Sequence, residues 1–175
     1  MSEYEILYSA LNLSHEDFSG LFSNKAEAEM LRPELESVIE ISERLIKPQG
    51  IISIFDAVEV NVDGFRVEDV YFECGRKIAG LLRGSEKIAV FVCTIGAEIV
   101  SAYKRSTASG DWLRAYFFDT LGSLAVERTM DIIQKQLKKE LSENNLRMTN
   151  RFSPGYCNWL VKEQKKLFSL LPHPP

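Results

Sequence analysis

Apolar residues recur along this chain with two periods, which divide it into helical and extended stretches. Leu31, Leu35, Val38, Ser42 and Leu45 follow the three-four spacing that lays one stripe of a helix against a core. Asn24 can cap a first turn ahead of that stripe. Pro33 fits the opening of the main helix, with Glu34 and Glu36 at its positive end, and Lys47-Pro48-Gln49-Gly50 stops it. A longer helix is predicted from Asp111 to about Asn144. Leu113, Phe117, Leu121 and Leu124 form one stripe, and Val126, Met130, Ile133, Leu137 and Leu141 continue it. At 1.5 Å per residue such a helix spans roughly 50 Å.

Between these helices the pattern turns extended. Ile52, Ile54, Ala57 and Val58 lead into 60–67, where Asp63-Gly64 between apolar runs signals a hairpin. A short helix is expected over 75–82, closed by Gly84. The run Ile88-Ala89-Val90-Phe91-Val92 suits a strand buried on both faces. Thr94-Ile95-Gly96 then turns the chain into a helix from Ala97 to about Arg105, and 106–110 is a polar break. Residues 4–11 read as a short helix and 14–24 as a loop. Residues 146–152 read as a final strand or extended arm, 153–159 as a loop and 160–171 as a closing helix. His173-Pro174-Pro175 is a tail that frays. These elements make an α+β fold, with a mixed, largely antiparallel sheet, a long central helix and flanking helices. Without repeat, linker or composition break, residues 1–175 are expected to be a single domain.

Length and composition agree with a globular domain: 175 residues, 45% hydrophobic and 26% charged. The net charge of -4 gives no electrostatic footprint for nucleic acid. Lys135, Lys138 and Lys139 lie beside Glu140 and Glu143 and read as a solvated helix face. The start, Met-Ser-Glu-Tyr-Glu, lacks a basic and an apolar secretory region, and no apolar run is long enough for a membrane span, so a cytoplasmic location is expected. Cys74, Cys93 and Cys157 are odd in number and lack ligand spacing, which argues against a disulfide framework or a zinc site. Two histidines, His15 and His173, leave no Ser-His-Asp or Cys-His arrangement. No P-loop or Gly-x-Gly-x-x-Gly occurs. No catalytic or metal-ligating residue is therefore assigned.

The most informative stretch is Arg151-Phe152-Ser153-Pro154-Gly155-Tyr156. Pro154 fixes φ and Gly155 allows the positive φ of a type II turn, while leaving the backbone open to a ligand. Arg151 offers a planar fork for a carboxylate. Tyr156 offers an aromatic face and a hydroxyl. A ligand with a carboxylate at one end and a cation or flat ring at the other suits this set, and so does a well-packed turn with a surface arginine. Glu127 sits among Leu124, Ala125, Val126 and Met130, where it either receives a ligand ammonium or faces water. Thr94 is a helix cap or a ligand contact. Trp159 is an interface anchor or a core residue under the closing helix.

Three segments together carry a resemblance. Ile88-Ala89-Val90-Phe91-Val92-Cys93-Thr94-Ile95-Gly96, Leu121-Gly122-Ser123-Leu124-Ala125-Val126-Glu127 and Arg151-Phe152-Ser153-Pro154-Gly155-Tyr156 resemble, in that order, the activation (reactivation) domain of cobalamin-dependent methionine synthase, most of all its free-standing members. The resemblance covers most of the chain and weakens before about Ile51. It implies binding of S-adenosylmethionine during reductive methylation of cob(II)alamin on a partner. That partner would be a corrinoid-binding methionine synthase or a related corrinoid protein, with an electron from a flavodoxin-type donor. It implies that Arg151 meets the ligand carboxylate, that the backbone around Ser153, Pro154 and Gly155 meets polar atoms, and that Tyr156 lies beside the sulfonium. It also assigns Glu127 to the ligand's amino acid end. Cobalamin would be met only through the partner, because no Asp-x-His-x-x-Gly corrinoid motif occurs. The chain departs from the family where Cys157-Asn158-Trp159-Leu160 replaces a stretch with proline and histidine. The expected function is a reactivation module within a methyltransferase system of methionine biosynthesis, with no complete active site of its own. The alternatives are a docking domain that has lost the ligand and a methyltransferase for another small molecule.

Overall fold

The computed structural model describes residues 1–56 and 59–171. The expected strand residues Ala57 and Val58, and the tail His173-Pro174-Pro175, lie outside the described residues.

The elements in chain order are β1 (Ser2–Glu5), α1 (Lys25–Leu45), β2 (Gln49–Asp56), β3 (Glu59–Val60), β4 (Gly64–Val67), β5 (Val70–Glu73), α2 (Gly75–Leu82), β6 (Lys87–Thr94), α3 (Glu98–Ala108), α4 (Trp112–Glu143) and α5 (Gln164–Ser169). Short 3-10 turns occupy Tyr8–Leu11, His15–Leu21 and Val161–Glu163. Among the described residues the strands form two three-stranded sheets, ordered β1-β2-β6 and β3-β4-β5. The class is α+β. No helix among the described residues is long and apolar enough to cross a membrane.

The chain forms two compact units. The described residues of Met1–Glu3, Ile51–Val92 and Lys135–Pro175 make the first, and Tyr4–Gly50 with Cys93–Gln134 make the second.

In the first unit, β3, β4 and β5 pair antiparallel, with Val60 opposite Phe65 and Phe65 opposite Phe72. The hairpin signal at Asp63-Gly64 is thus realised, although Gly64 is already a strand residue. A Cβ there would run into Tyr71 Oη and the Phe72 carbonyl, so glycine is required by the close approach of β5. The core gathers Ile51, Phe65, Val67, Phe72, Cys74, Ile78, Ala79, Leu82, Ile88 and Val90 with Trp159, Leu170 and Leu171. Phe65 and Phe72 stack at 4.8 Å between centroids. β5 was not expected as a separate strand. It is four residues long, and a two-residue reversal with Glu68 at φ 49 joins it to β4, a turn without glycine. β6 is less enclosed than expected: Ile88 and Val90 are buried, while Ala89, Phe91 and Val92 are half-buried.

In the second unit, Asn24 caps α1, its side chain accepting from the Glu27 N–H at 3.0 Å. The helix therefore opens at Lys25, not at Pro33, which lies inside it. Capping outweighs the missing proline N–H because a full turn precedes it. Leu35, Val38 and Ser42 are buried as the stripe requires. The expected helix over 4–11 is instead strand β1 followed by a 3-10 turn, and 14–24 contains the 3-10 turn His15–Leu21. Arg128 of α4 holds this segment: its guanidinium donates to the Leu11 and Asn12 carbonyls and pairs with Asp17. Leu11, Phe18, Leu35, Val38, Ile95, Ile99, Phe117, Phe118, Leu121 and Ala125 share one core.

The helix α4 matches its expected bounds, and the Asp111 carboxylate accepts from the Arg114 N–H at its start. Its buried line differs from the expected stripe. Phe117, Leu121, Ala125, Thr129, Ile133 and Leu137 are buried, whereas Leu124, Val126 and Met130 are half-buried. A four-residue step advances about 40° beyond a full turn, so the buried line winds round the helix. Thr129 tolerates burial because its hydroxyl donates to the Ala125 carbonyl at 2.7 Å.

Candidate functional site

After α4 ends at Glu143, residues 146–153 adopt no regular element, so the expected final strand is absent. The alternating apolar positions there find no strand partner, and Phe152 instead packs against the first unit's core.

The turn that follows is well defined. The Tyr156 N–H donates to the Ser153 carbonyl at 3.0 Å, with Pro154 and Gly155 between them and Gly155 at φ +107. Proline first and a positive-φ glycine second is the type II arrangement anticipated from the residues. Two more backbone bonds close the loop: Trp159 N–H to the Tyr156 carbonyl at 2.9 Å, and Gly155 N–H to the Trp159 carbonyl at 2.7 Å. A Cβ on Gly155 would meet Val161 only at an ordinary 3.6 Å, so backbone conformation, not crowding, demands glycine there. Cys157, at φ 52, occupies a left-handed position where glycine is easier.

Pro154 is buried, Ser153 is exposed, Arg151 is half-buried and Tyr156 is 53% exposed. Ser153, Pro154, Gly155 and Tyr156 thus share one hydrogen-bonded turn, and Arg151 precedes it by two residues. Arg151 already engages a neighbouring group within the fold. Glu127 belongs to the second unit, on α4, where it is exposed and likewise engaged.

The loop is anchored from behind. Trp159 is 4% exposed and meets Phe65 and Phe72 edge-on, at 5.8 and 6.2 Å between centroids. Of its two sequence readings, the core role is the one realised. Immediately downstream, the Glu163 carboxylate accepts from the Glu73 N–H at 3.3 Å and from Lys166 at 2.7 Å. Lys166 also donates to the Tyr71 carbonyl at 2.9 Å. These residues escape sequence reading because β5 and the C-terminal segment are far apart in the chain, and a Glu-x-x-Lys spacing on a helix reads equally well as a surface pair.

Thr94 is neither a helix cap nor free for one. Its hydroxyl accepts from the Gly96 N–H at 3.1 Å, and the cap of α3 is Ala97, without a side-chain bond. A Thr-x-Gly turn satisfies the chain locally before the helix begins. Cys74 is buried, Cys93 half-buried and Cys157 exposed, and none of the three forms a disulfide among the described residues. Among the described residues no group of three or more His, Cys, Asp or Glu could hold a metal ion.

No protein-family model matches the sequence. No curated protein sequence matches it either. Among solved structures, a crystal structure of the MetH reactivation domain bound to AdoHcy superimposes with a TM-score of 0.69 at 15% identity, covering 97% of this chain and 69% of that chain. At that identity the likeness is one of fold, and the chain has the fold of the MetH reactivation domain.

Proposed function

We propose that this chain is an S-adenosylmethionine-binding reactivation module that serves a corrinoid protein in trans. The observation that carries the proposal is the likeness in fold, across nearly the whole chain, to a reactivation domain captured with AdoHcy. The turn at Ser153–Tyr156 supports it, because its backbone is held by three hydrogen bonds and presents an exposed aromatic.

The residues present fit such a ligand. Arg151 supplies a bidentate fork for the carboxylate. The turn backbone at Ser153 and Gly155 lets polar atoms approach closely. The ring of Tyr156 gives a face for a sulfonium cation. Glu127 is assigned the ligand's amino group by resemblance alone, and Glu127→Gln tests it separately. When bound, S-adenosylmethionine supplies a methyl group to the partner's cobalamin, with an electron from a flavodoxin-type donor. This chain's contribution is to bind and orient the methyl donor.

Calorimetric titration of the purified chain with S-adenosylmethionine tests the reading. Arg151→Ala is expected to weaken binding by about 1.5–3 kcal/mol, the worth of a charge-assisted hydrogen bond. Equal binding by the two proteins removes Arg151 from the site. No heat of binding at about 1 mM ligand, where even a millimolar Kd would register, favours a docking domain without the ligand.

A further inference from the structure

We infer that Gly75 is a positioning residue for the proposed ligand loop: by lacking a side chain, it leaves the place in which Asn158 seats the Ser153–Trp159 turn. The inference rests on the reading of that turn as a ligand site. Gly75 opens α2 at φ +77, and its N–H donates to the Asp63 carbonyl at 2.7 Å. A Cβ built on Gly75 would stand 3.1 Å from the Cβ of Asn158, closer than packed carbons normally approach. Asn158 cannot yield freely. Its neighbour Trp159 is wedged among Phe65 and Phe72, and the Trp159 backbone bonds on both sides to Tyr156 and Gly155. Displacing Asn158 by a few tenths of an ångström therefore moves the two residues that form the face of the turn. The three-stranded β3-β4-β5 meander that presents Asp63 to Gly75 also presents Phe65 and Phe72 to Trp159, so one support sets both ends of the contact. Gly75 and Asn158 carry no ligand-binding chemistry of their own; they act through the loop.

The test uses the full chain in four forms: wild type, Gly75→Ala, Asn158→Gly and the double variant. Amide hydrogen exchange at Gly155 and Trp159 reads the turn without any ligand. Gly75→Ala is expected to speed exchange at both amides by about tenfold, leaving the α4 amides unchanged, because local opening is governed by local contacts. Adding Asn158→Gly is expected to return exchange to the level of Asn158→Gly alone, while the melting temperature stays lowered by the positive φ that alanine retains. Titration of the same proteins with S-adenosylmethionine is expected to show binding weakened about three- to tenfold in Gly75→Ala and recovered in the double variant, the cost of a lost preorganised geometry. Unchanged exchange in Gly75→Ala, or no recovery in the double variant, overturns the inference. So does altered exchange with unaltered affinity. Failure of the wild type to bind, with exchange behaving as expected, overturns the ligand reading and leaves the seat of the turn established.

Discussion

Trp159 and Cys74 show how single residues answer to burial. The indole of Trp159 packs edge-on against two phenylalanines, and its Nε1 has no hydrogen-bond partner among the described residues. Packing, rather than hydrogen bonding, therefore holds it. Trp159→Ala is expected to cost about 3–5 kcal/mol in a denaturant titration, the range for buried aromatics, and Trp159→Phe clearly less. A melt of the alanine variant close to the wild type would sink the core assignment. Burial pushes the Cys74 thiol from 9.0 to about 11, desolvation being the main cause and the Asp63 charge adding to it. The folded state thus favours the neutral thiol. Its contribution to stability is fully present below pH 9 and is lost as pH rises toward about 11, because the unfolded thiol ionises first. Stability measured from pH 8 upward should fall through this window, and Cys74→Ala should flatten that limb. Native protein should react with a thiol reagent at exposed Cys157 far faster than at Cys74.

At the scale of elements, α1 carries an internal conflict. Pro33 lies within it and removes the N–H that would reach the Glu29 carbonyl, while Asn24 and the Arg32–Glu36 pair support the helix on either side. Pro33→Ala restores that bond and is expected to raise stability by about 1–3 kcal/mol in chemical denaturation. A loss of stability would show instead that the helix needs its bend at Pro33 to fit the second unit's core. The end of α2 and the bounds of α4 were legible because strong local signals mark them: Gly84 after α2, Asp111 and Asn144-Asn145 for α4. The type II turn at Pro154-Gly155 was legible for the same reason, since two adjacent residues dictate it. β5 was not. Four residues entered by a glycine-free reversal leave no local signature, and their strand character comes from pairing with β4. Within α4, large apolar residues marked a stripe through Leu124, Val126 and Met130, but the buried line passes through Ala125 and Thr129. Small residues are buried where neighbours come close, and hydrophobicity alone does not register closeness.

At the scale of the whole molecule, the chain shares its fold with a reactivation domain despite 15% identity. Fold is kept by the pattern of apolar positions, which many sequences satisfy, whereas a site depends on particular groups in particular places. Periodicity, caps and turn chemistry act over a few residues, and they were enough for the α+β class, the long helix, the Asn24 cap and the turn at Ser153–Tyr156. Tertiary structure alone decided that Trp159 is core, that Arg128 ties down the N-terminal segment, that Glu163 and Lys166 fasten the C-terminal segment to β5, and that Gly75 receives Asn158. Each joins residues distant in the chain, and such pairings are set by how packed elements exclude water and satisfy buried backbone groups, which no local pattern encodes.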